Sequence, residues 1–247
     1  MTDTHTARIR EIPYNYTSYS DREIIIRFLG DDSWNIIERL RNSRRTGRSA
    51  RMLFEVLGDM WVIERNPYVK DDLLNNKKRR EALIGALKHR LHQVELRADG
   101  NQDTLTLHRH CLTAITTFEE SLRDQLILRQ NVLSTLKKIT SPNNIDFSGL
   151  ARVSHSTDAT DWRIAMPFVV FKPDTEFETA AIVRACIKLG LTIIPRGGGT
   201  GYTGGAIPLH ANTAIINTEK LENLSPIVQT ALPELDGTYP VTGCGAG

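Results

Sequence analysis

The chain has 247 residues, of which 40% are apolar and 24% charged, with a formal net charge of +2. That length holds one large domain or two small ones, and so small a charge argues against nucleic acid as a partner. No apolar run approaches the roughly 20 residues of a membrane-crossing helix. The N-terminal Met1-Thr2-Asp3-Thr4-His5 lacks a signal-peptide core, so a cytoplasmic chain is expected, at most peripheral to the inner membrane through a partner.

Along the chain, Ser20-Asp21-Arg22-Glu23 has the form of a capping box ahead of the short apolar run Ile24–Leu29. A second helix is predicted over Trp34–Leu40. The segment Arg41–Arg51 is basic and reads as a loop or extended strip. Met52–Glu64 reads as two strands around a Gly58-Asp59 turn, ended by Pro67. Lys77–Leu96 is predicted helical from Leu83, Ala86, Leu87, Leu91 and Val94, and Thr104–Lys137 from an inward face of Leu112, Ile115, Phe118, Leu122, Leu126, Leu133 and Leu136. The breaker cluster Ser141-Pro142-Asn143-Asn144 marks a change of character. A strand at Phe168–Phe171 follows, then a helix over Glu176–Leu189 capped by Asp174 or Thr175 and stopped at Gly190. Strands at Thr192–Pro195 and Ala214–Asn217 flank a glycine-rich loop, while Gly237–Gly243 is weak as a strand. The expectation is an α+β chain: residues 1–150 a mainly helical domain, residues 151–247 a partial α+β nucleotide-binding domain.

The loop is the informative feature. In Pro195-Arg196-Gly197-Gly198-Gly199-Thr200-Gly201-Tyr202-Thr203-Gly204-Gly205, the glycines incur an entropic cost of roughly 0.5–1 kcal/mol each in a regular element. Such a run is accepted where the main chain itself must approach a ligand, and successive N–H groups form a cradle for phosphate oxygens. No Lys-Ser/Thr pair follows Gly204, which excludes a Walker A loop. The match Gly199-Thr200-Gly201-Tyr202-Thr203-Gly204 to a dinucleotide fingerprint should open a helix, but Pro208 and a β-prone run come too soon after it.

Pro173-Asp174-Thr175-Glu176, Ile194–Thr200, Ile215–Leu221 and Cys244-Gly245-Ala246-Gly247 together resemble the FAD-binding flavoproteins of vanillyl-alcohol oxidase and p-cresol methylhydroxylase type, which include glycolate oxidase and D-lactate dehydrogenases. The resemblance covers about residues 160–247. It implies non-covalent FAD, because no histidine lies between Pro195 and Leu209 to attach it. It also implies a pyrophosphate site formed by Arg196, Gly197, Gly198, Gly199, Thr200, Gly201, Tyr202, Thr203 and Gly204, with Arg196 either on phosphate or bracing the loop. Further implications are a dehydrogenase that oxidises a small 2-hydroxy acid such as lactate or glycolate, and an iron–sulfur or quinone electron acceptor. Residues 1–160 resemble an uncharacterised helical domain found ahead of this module in large bacterial FAD/iron–sulfur oxidoreductases, through Ile12–Ser18, Thr46–Arg51, Glu64–Tyr68 and Ser154–Arg163. On that resemblance the chain is an N-terminal fragment, inactive alone because the substrate domain is missing.

No catalytic acid or base is identified. Cys111, Cys186 and Cys244 form no CxxC pair, so no iron–sulfur or zinc site is encoded, and no metal is expected. His89/His92 and His108/His110 read as surface histidines. The Arg39, Arg41, Arg44, Arg45, Arg48, Arg51 strip reads as a solvated face rather than a nucleic-acid surface. His155, beside Asp158, Asp161 and Trp162, either touches flavin or substrate or makes a structural bond to the linker. The rival reading is a non-catalytic interaction protein whose glycine loop is vestigial.

Overall fold

The computed structural model describes residues 20–43, 47–160 and 162–247. The signature Ile12–Ser18, and Arg44, Arg45, Thr46 and Asp161, lie outside the described residues. The chain divides into two compact units, one ending at Gln130 and the other running Asn131–Gly247.

The first unit is helical: α1 (Asp21–Leu29), α2 (Asp31–Asn42), α3 (Arg48–Arg65), α4 (Pro67–Asn75), α5 (Lys77–Leu96) and most of α6 (Gln102–Leu136). The capping box at the start of α1 is formed, with the Ser20 hydroxyl accepting from Glu23 N–H and the Glu23 carboxylate accepting from Ser20 N–H. The predicted hairpin at Met52–Glu64 is absent; that stretch is the middle and end of α3. Leu53, Val56, Leu57, Met60, Trp61 and Ile63 are buried at helical spacing. Burying that stripe, at roughly 1.5–3 kcal/mol per large apolar side chain, outweighs the ~1 kcal/mol that Gly58 costs inside a helix. The expected loop at Arg41–Arg51 is likewise shortened, because α2 reaches Asn42 and α3 starts at Arg48. Pro67 does more than end α3. It occupies the first turn of α4, where its missing N–H leaves no bond unmade, and Asn66 caps the turn through Tyr68 N–H and Val69 N–H.

Helix α5 packs on α3 and α4. It buries Ile84, Leu87, Leu91 and Val94, while Ala86, expected inward, is exposed. On α6 the inward face includes Leu107, Cys111, Ile115, Phe118, Leu122 and Leu136; of the predicted stripe, Leu112 and Leu133 are exposed instead.

The second unit holds a four-stranded sheet in the order β1-β2-β4-β3, from β1 (Ile145–Asp146), β2 (Val169–Phe171), β3 (Thr192–Arg196) and β4 (Thr213–Asn217). β2, β4 and β3 are parallel, with Val170 opposite Ile215 and Ile194 opposite Ile215 on its other side; β1 pairs antiparallel with β2. Every residue of β4 is buried, as a central parallel strand requires. Two helices flank the strands. Short α7 (Gly149–Ser154) puts Ala151 on Val170 and Ile215. Helix α8 (Glu176–Lys188) starts at the Thr175 cap, and Gly190 beyond it takes a positive φ of 69°. The tail is more regular than expected. β5 (Val228–Ala231) and β6 (Thr238–Val241) form an antiparallel hairpin, because main-chain pairing tolerates Pro240 on a two-stranded ribbon with free edges. The architecture is α+β. Among the described residues no helix is long and apolar enough to cross a membrane.

Candidate functional site

The glycine-rich loop leaves the carboxyl end of β3 and returns to the start of β4, its parallel neighbour. Parallel neighbours are usually joined by a helix. Here residues 197–212 are irregular, so the helix demanded by a dinucleotide fingerprint is absent. The carboxyl ends of parallel strands are where open α/β sheets place ligands.

Gly197, Gly198, Thr200, Gly201, Tyr202 and Thr203 are exposed. Among the described residues, the N–H groups of Gly197 through Thr203 donate to no protein acceptor. The loop is fixed by other atoms. The Gly199 carbonyl accepts from Ala159 N–H at 3.2 Å, the Gly204 carbonyl accepts from Ile207 N–H at 3.3 Å, and the Arg196 carbonyl accepts from Thr218 N–H at 2.9 Å. Gly199 has φ 66°, a conformation that favours glycine, and a Cβ there would lie 2.3 Å from the Arg196 guanidinium, which would have to move. Carbonyls thus anchor the loop, while the Gly197–Thr203 N–H groups have no partner among the described residues, which suits a ligand rich in acceptors. Gly197, Gly198, Gly199 and Gly201 put no Cβ beside their donors, which fits close approach by a pyrophosphate group.

Arg196 points back into the protein. Its Nη1 donates to the Thr157 carbonyl at 2.6 Å. Burial lowers its pKa, and the nearby Asp158 carboxylate opposes that shift. Asp158 is itself buried, which pushes its pKa up; the Thr160 hydroxyl and N–H, the Ala206 N–H and Arg196 together outweigh this and hold it below the ordinary carboxylate value. Trp162 packs near Gly204, and Tyr202 is 83% exposed. The tail reaches the same place: the Ala246 carbonyl accepts from the Thr218 hydroxyl at 2.6 Å and lies near Gly197. Gly245 pairs with Asn223, and a Cβ there would fall 1.7 Å from the Leu221 carbonyl oxygen.

At the end of β4 lies a polar cluster that sequence reasoning missed, built on buried Asn217 and His155 with Glu219 at its exposed edge. Asn217 Nδ2 donates to His155 Nε2 and to Glu219 Oε2, each at 2.9 Å, while its Oδ1 accepts from Glu219 N–H. Those roles leave the His155 proton on Nδ1, facing the Ala151 carbonyl at 2.8 Å. Burial depresses the His155 pKa, helped by Arg196 and Lys172; the Ala151 carbonyl and Glu219 oppose it. Glu219 pairs with Lys172 at 2.7 Å. His155 therefore makes a structural bond between α7 and β4. The only sequence signal for this cluster was the polar Asn217-Thr218-Glu219 after three apolar strand residues.

The other candidates are committed elsewhere. Arg39 forks onto Asp103, Arg41 stacks over Trp34 at 5.0 Å, and Arg51 pairs with Glu55, so these three arginines of the basic strip have partners within the helical unit. His110 Nδ1 meets the buried Ser33 hydroxyl at 2.8 Å, and His92 and His108 face Glu95. Among the described residues no three metal-ligating side chains converge.

Two curated proteins are similar to part of this chain. Glycolate oxidase subunit GlcD of Bacillus subtilis is 31% identical over 119 residues, 44% of this chain and 25% of that protein. D-lactate dehydrogenase of Archaeoglobus fulgidus is 36% identical over 85 residues, 34% of this chain and 17% of that protein. Over the matched stretches the chain is similar to these two proteins. It spans no more than a quarter of either relative's length. The model of a family of unknown function, DUF3683, matches residues 7–120. A solved alkyldihydroxyacetonephosphate synthase aligns over 38% of this chain and 21% of its own, at 22% identity and a TM-score of 0.35.

Proposed function

We propose that residues 151–247 form the FAD-binding part of an oxidoreductase, with Arg196–Gly204 around the cofactor's pyrophosphate. One observation carries the reading: a largely exposed run, Gly197 to Thr203, whose N–H groups have no acceptor among the described residues, held by carbonyl anchors at the carboxyl end of a parallel strand. Charge-assisted donation from main-chain N–H to phosphate oxygen is stronger than the bonds to water it replaces. The Thr200 and Thr203 hydroxyls add donors. Tyr202 and Gly204 shape the loop's outer edge. Binding is non-covalent, in keeping with the lack of histidine between Pro195 and Leu209.

When bound, FAD supplies two-electron acceptance, and the protein's part is to seat and tune it. The substrate class we propose is a small 2-hydroxy acid, in line with the names of the relatives, with an iron–sulfur or quinone group as electron acceptor.

The test is titration with FAD, followed by flavin fluorescence and by thermal midpoint. Gly201→Val is the diagnostic variant, since a Cβ at Gly201 meets nothing within 4 Å and its φ is not positive. The fold should tolerate it, with a midpoint near that of the parent, while FAD uptake is lost. A parent protein that neither quenches FAD fluorescence nor gains stability from FAD refutes the assignment.

A further inference from the structure

We infer that Arg196 is a positioning residue that ties the Thr157–Thr160 turn to the glycine loop, and is not a phosphate ligand; the cofactor part of this inference rests on the reading above. Three contacts converge. The guanidinium donates to the Thr157 carbonyl at 2.6 Å. It occupies the space a side chain at Gly199 would take, 2.3 Å from the would-be Cβ at Nη2 and 2.5 Å at Cζ. Gly199 in turn accepts from Ala159 N–H, two residues beyond Thr157. The Asp158 carboxylate, held by Thr160 N–H at 2.9 Å, faces both Arg196 and Ala206 N–H. The turn and the loop are therefore locked from two sides, through the Arg196 side chain and the Gly199 carbonyl.

The geometry explains why an arginine stands at the end of β3. A flat fork can lie under the main chain at Gly199 and still reach a carbonyl beyond it; an ammonium on a flexible stem has one point of contact and cannot fill that slot. Turned inward, the guanidinium lends its charge to Asp158 and leaves the ligand side of the loop to main-chain donors. Thr157–Thr160 then becomes part of the cofactor site without touching the cofactor.

Five proteins test this: the parent, Arg196→Lys, Arg196→Ala, Gly199→Ala and the Arg196→Ala/Gly199→Ala pair. FAD affinity is measured against salt concentration, and the thermal midpoint without flavin. For a brace, Arg196→Lys weakens FAD about as much as Arg196→Ala, on the order of tenfold, and the slope of log Kd against log salt stays at the parent value. Gly199→Ala lowers the midpoint in both backgrounds, because an alanine is strained at φ 66°, but by less once Arg196 is truncated, since the obstructing group is gone. Retention of affinity in Arg196→Lys, with a shallower salt slope in Arg196→Ala, would make the residue a charge ligand and overturn the inference. Equal Gly199→Ala effects in both backgrounds would also overturn it. If the parent takes up no FAD, the cofactor reading falls, and the midpoint cycle alone decides for or against the brace.

Discussion

Replacing Gly58 by alanine decides between the two conformations its surroundings suggest. In the structure Gly58 lies within α3, its φ is not positive, and a Cβ there meets nothing within 4 Å. No cavity is filled and no neighbour displaced, so the effect reduces to backbone entropy and helix propensity. That is a gain of about 0.8–1 kcal/mol. For a helical unit of this size the thermal midpoint should rise by roughly 3–6 °C. Had Gly58-Asp59 been a tight hairpin turn, glycine would sit at positive φ, and alanine would cost about 1–2 kcal/mol and lower the midpoint. Gly85→Ala is the control. It lies in α5, where periodicity and structure agree, and its Cβ also meets open space. Circular dichroism at 222 nm through thermal and urea unfolding reads both variants. Opposite signs, with Gly85→Ala raising the midpoint and Gly58→Ala lowering it, would refute the helical account of α3.

Three further outcomes are expected. Because burial holds the His155 pKa below its ordinary 6.5, the neutral ring is the folded form. Its contribution is complete above that value and is lost as pH falls through the depressed one. His155→Gln should flatten the pH dependence of stability just below 6.5, leaving the loss at lower pH from Asp158, Asp174 and Glu219, whose pKa values are also depressed; an unchanged profile counts against the cluster. Asn144 is buried and bonds Thr140, Asp174 and Lys220, so Asn144→Ala should cost about 2–3 kcal/mol in urea unfolding, and a cost under about 0.5 would be contrary. A thiol reagent should label only Cys244 in the native protein and all three cysteines after denaturation, since burial pushes Cys111 to about 12 and Cys186 to about 11; fast native labelling of either would contradict their burial.

Local signals carried far into this fold. Ser20 and Thr175 announce helix starts by side-chain bonds spanning three residues, and α5 is long enough for its stripe to be read directly. Errors arose where one residue permits two roles. Gly58-Asp59 resembles a turn, yet the stripe from Leu53 to Ile63 decides for a helix. Pro67 stops one helix and opens the next. At the candidate site the loop was legible because glycine clustering is a property of sequence alone. The Asn217–His155–Glu219 cluster was not, since it forms only when α7 is laid against β4, across 62 residues of chain. The inward course of Arg196 depends in the same way on Thr157, 39 residues earlier.

The strand order has a consequence for how the loop comes into being. β4 is the last of the four strands to be synthesised, yet it lies between β2 and β3. Until residues 213–217 leave the ribosome, those two earlier strands have no hydrogen-bonding partner in common, and the glycines between β3 and β4 have no second abutment. The loop's geometry must therefore be set in one step with insertion of that middle strand, not gradually as the preceding chain emerges.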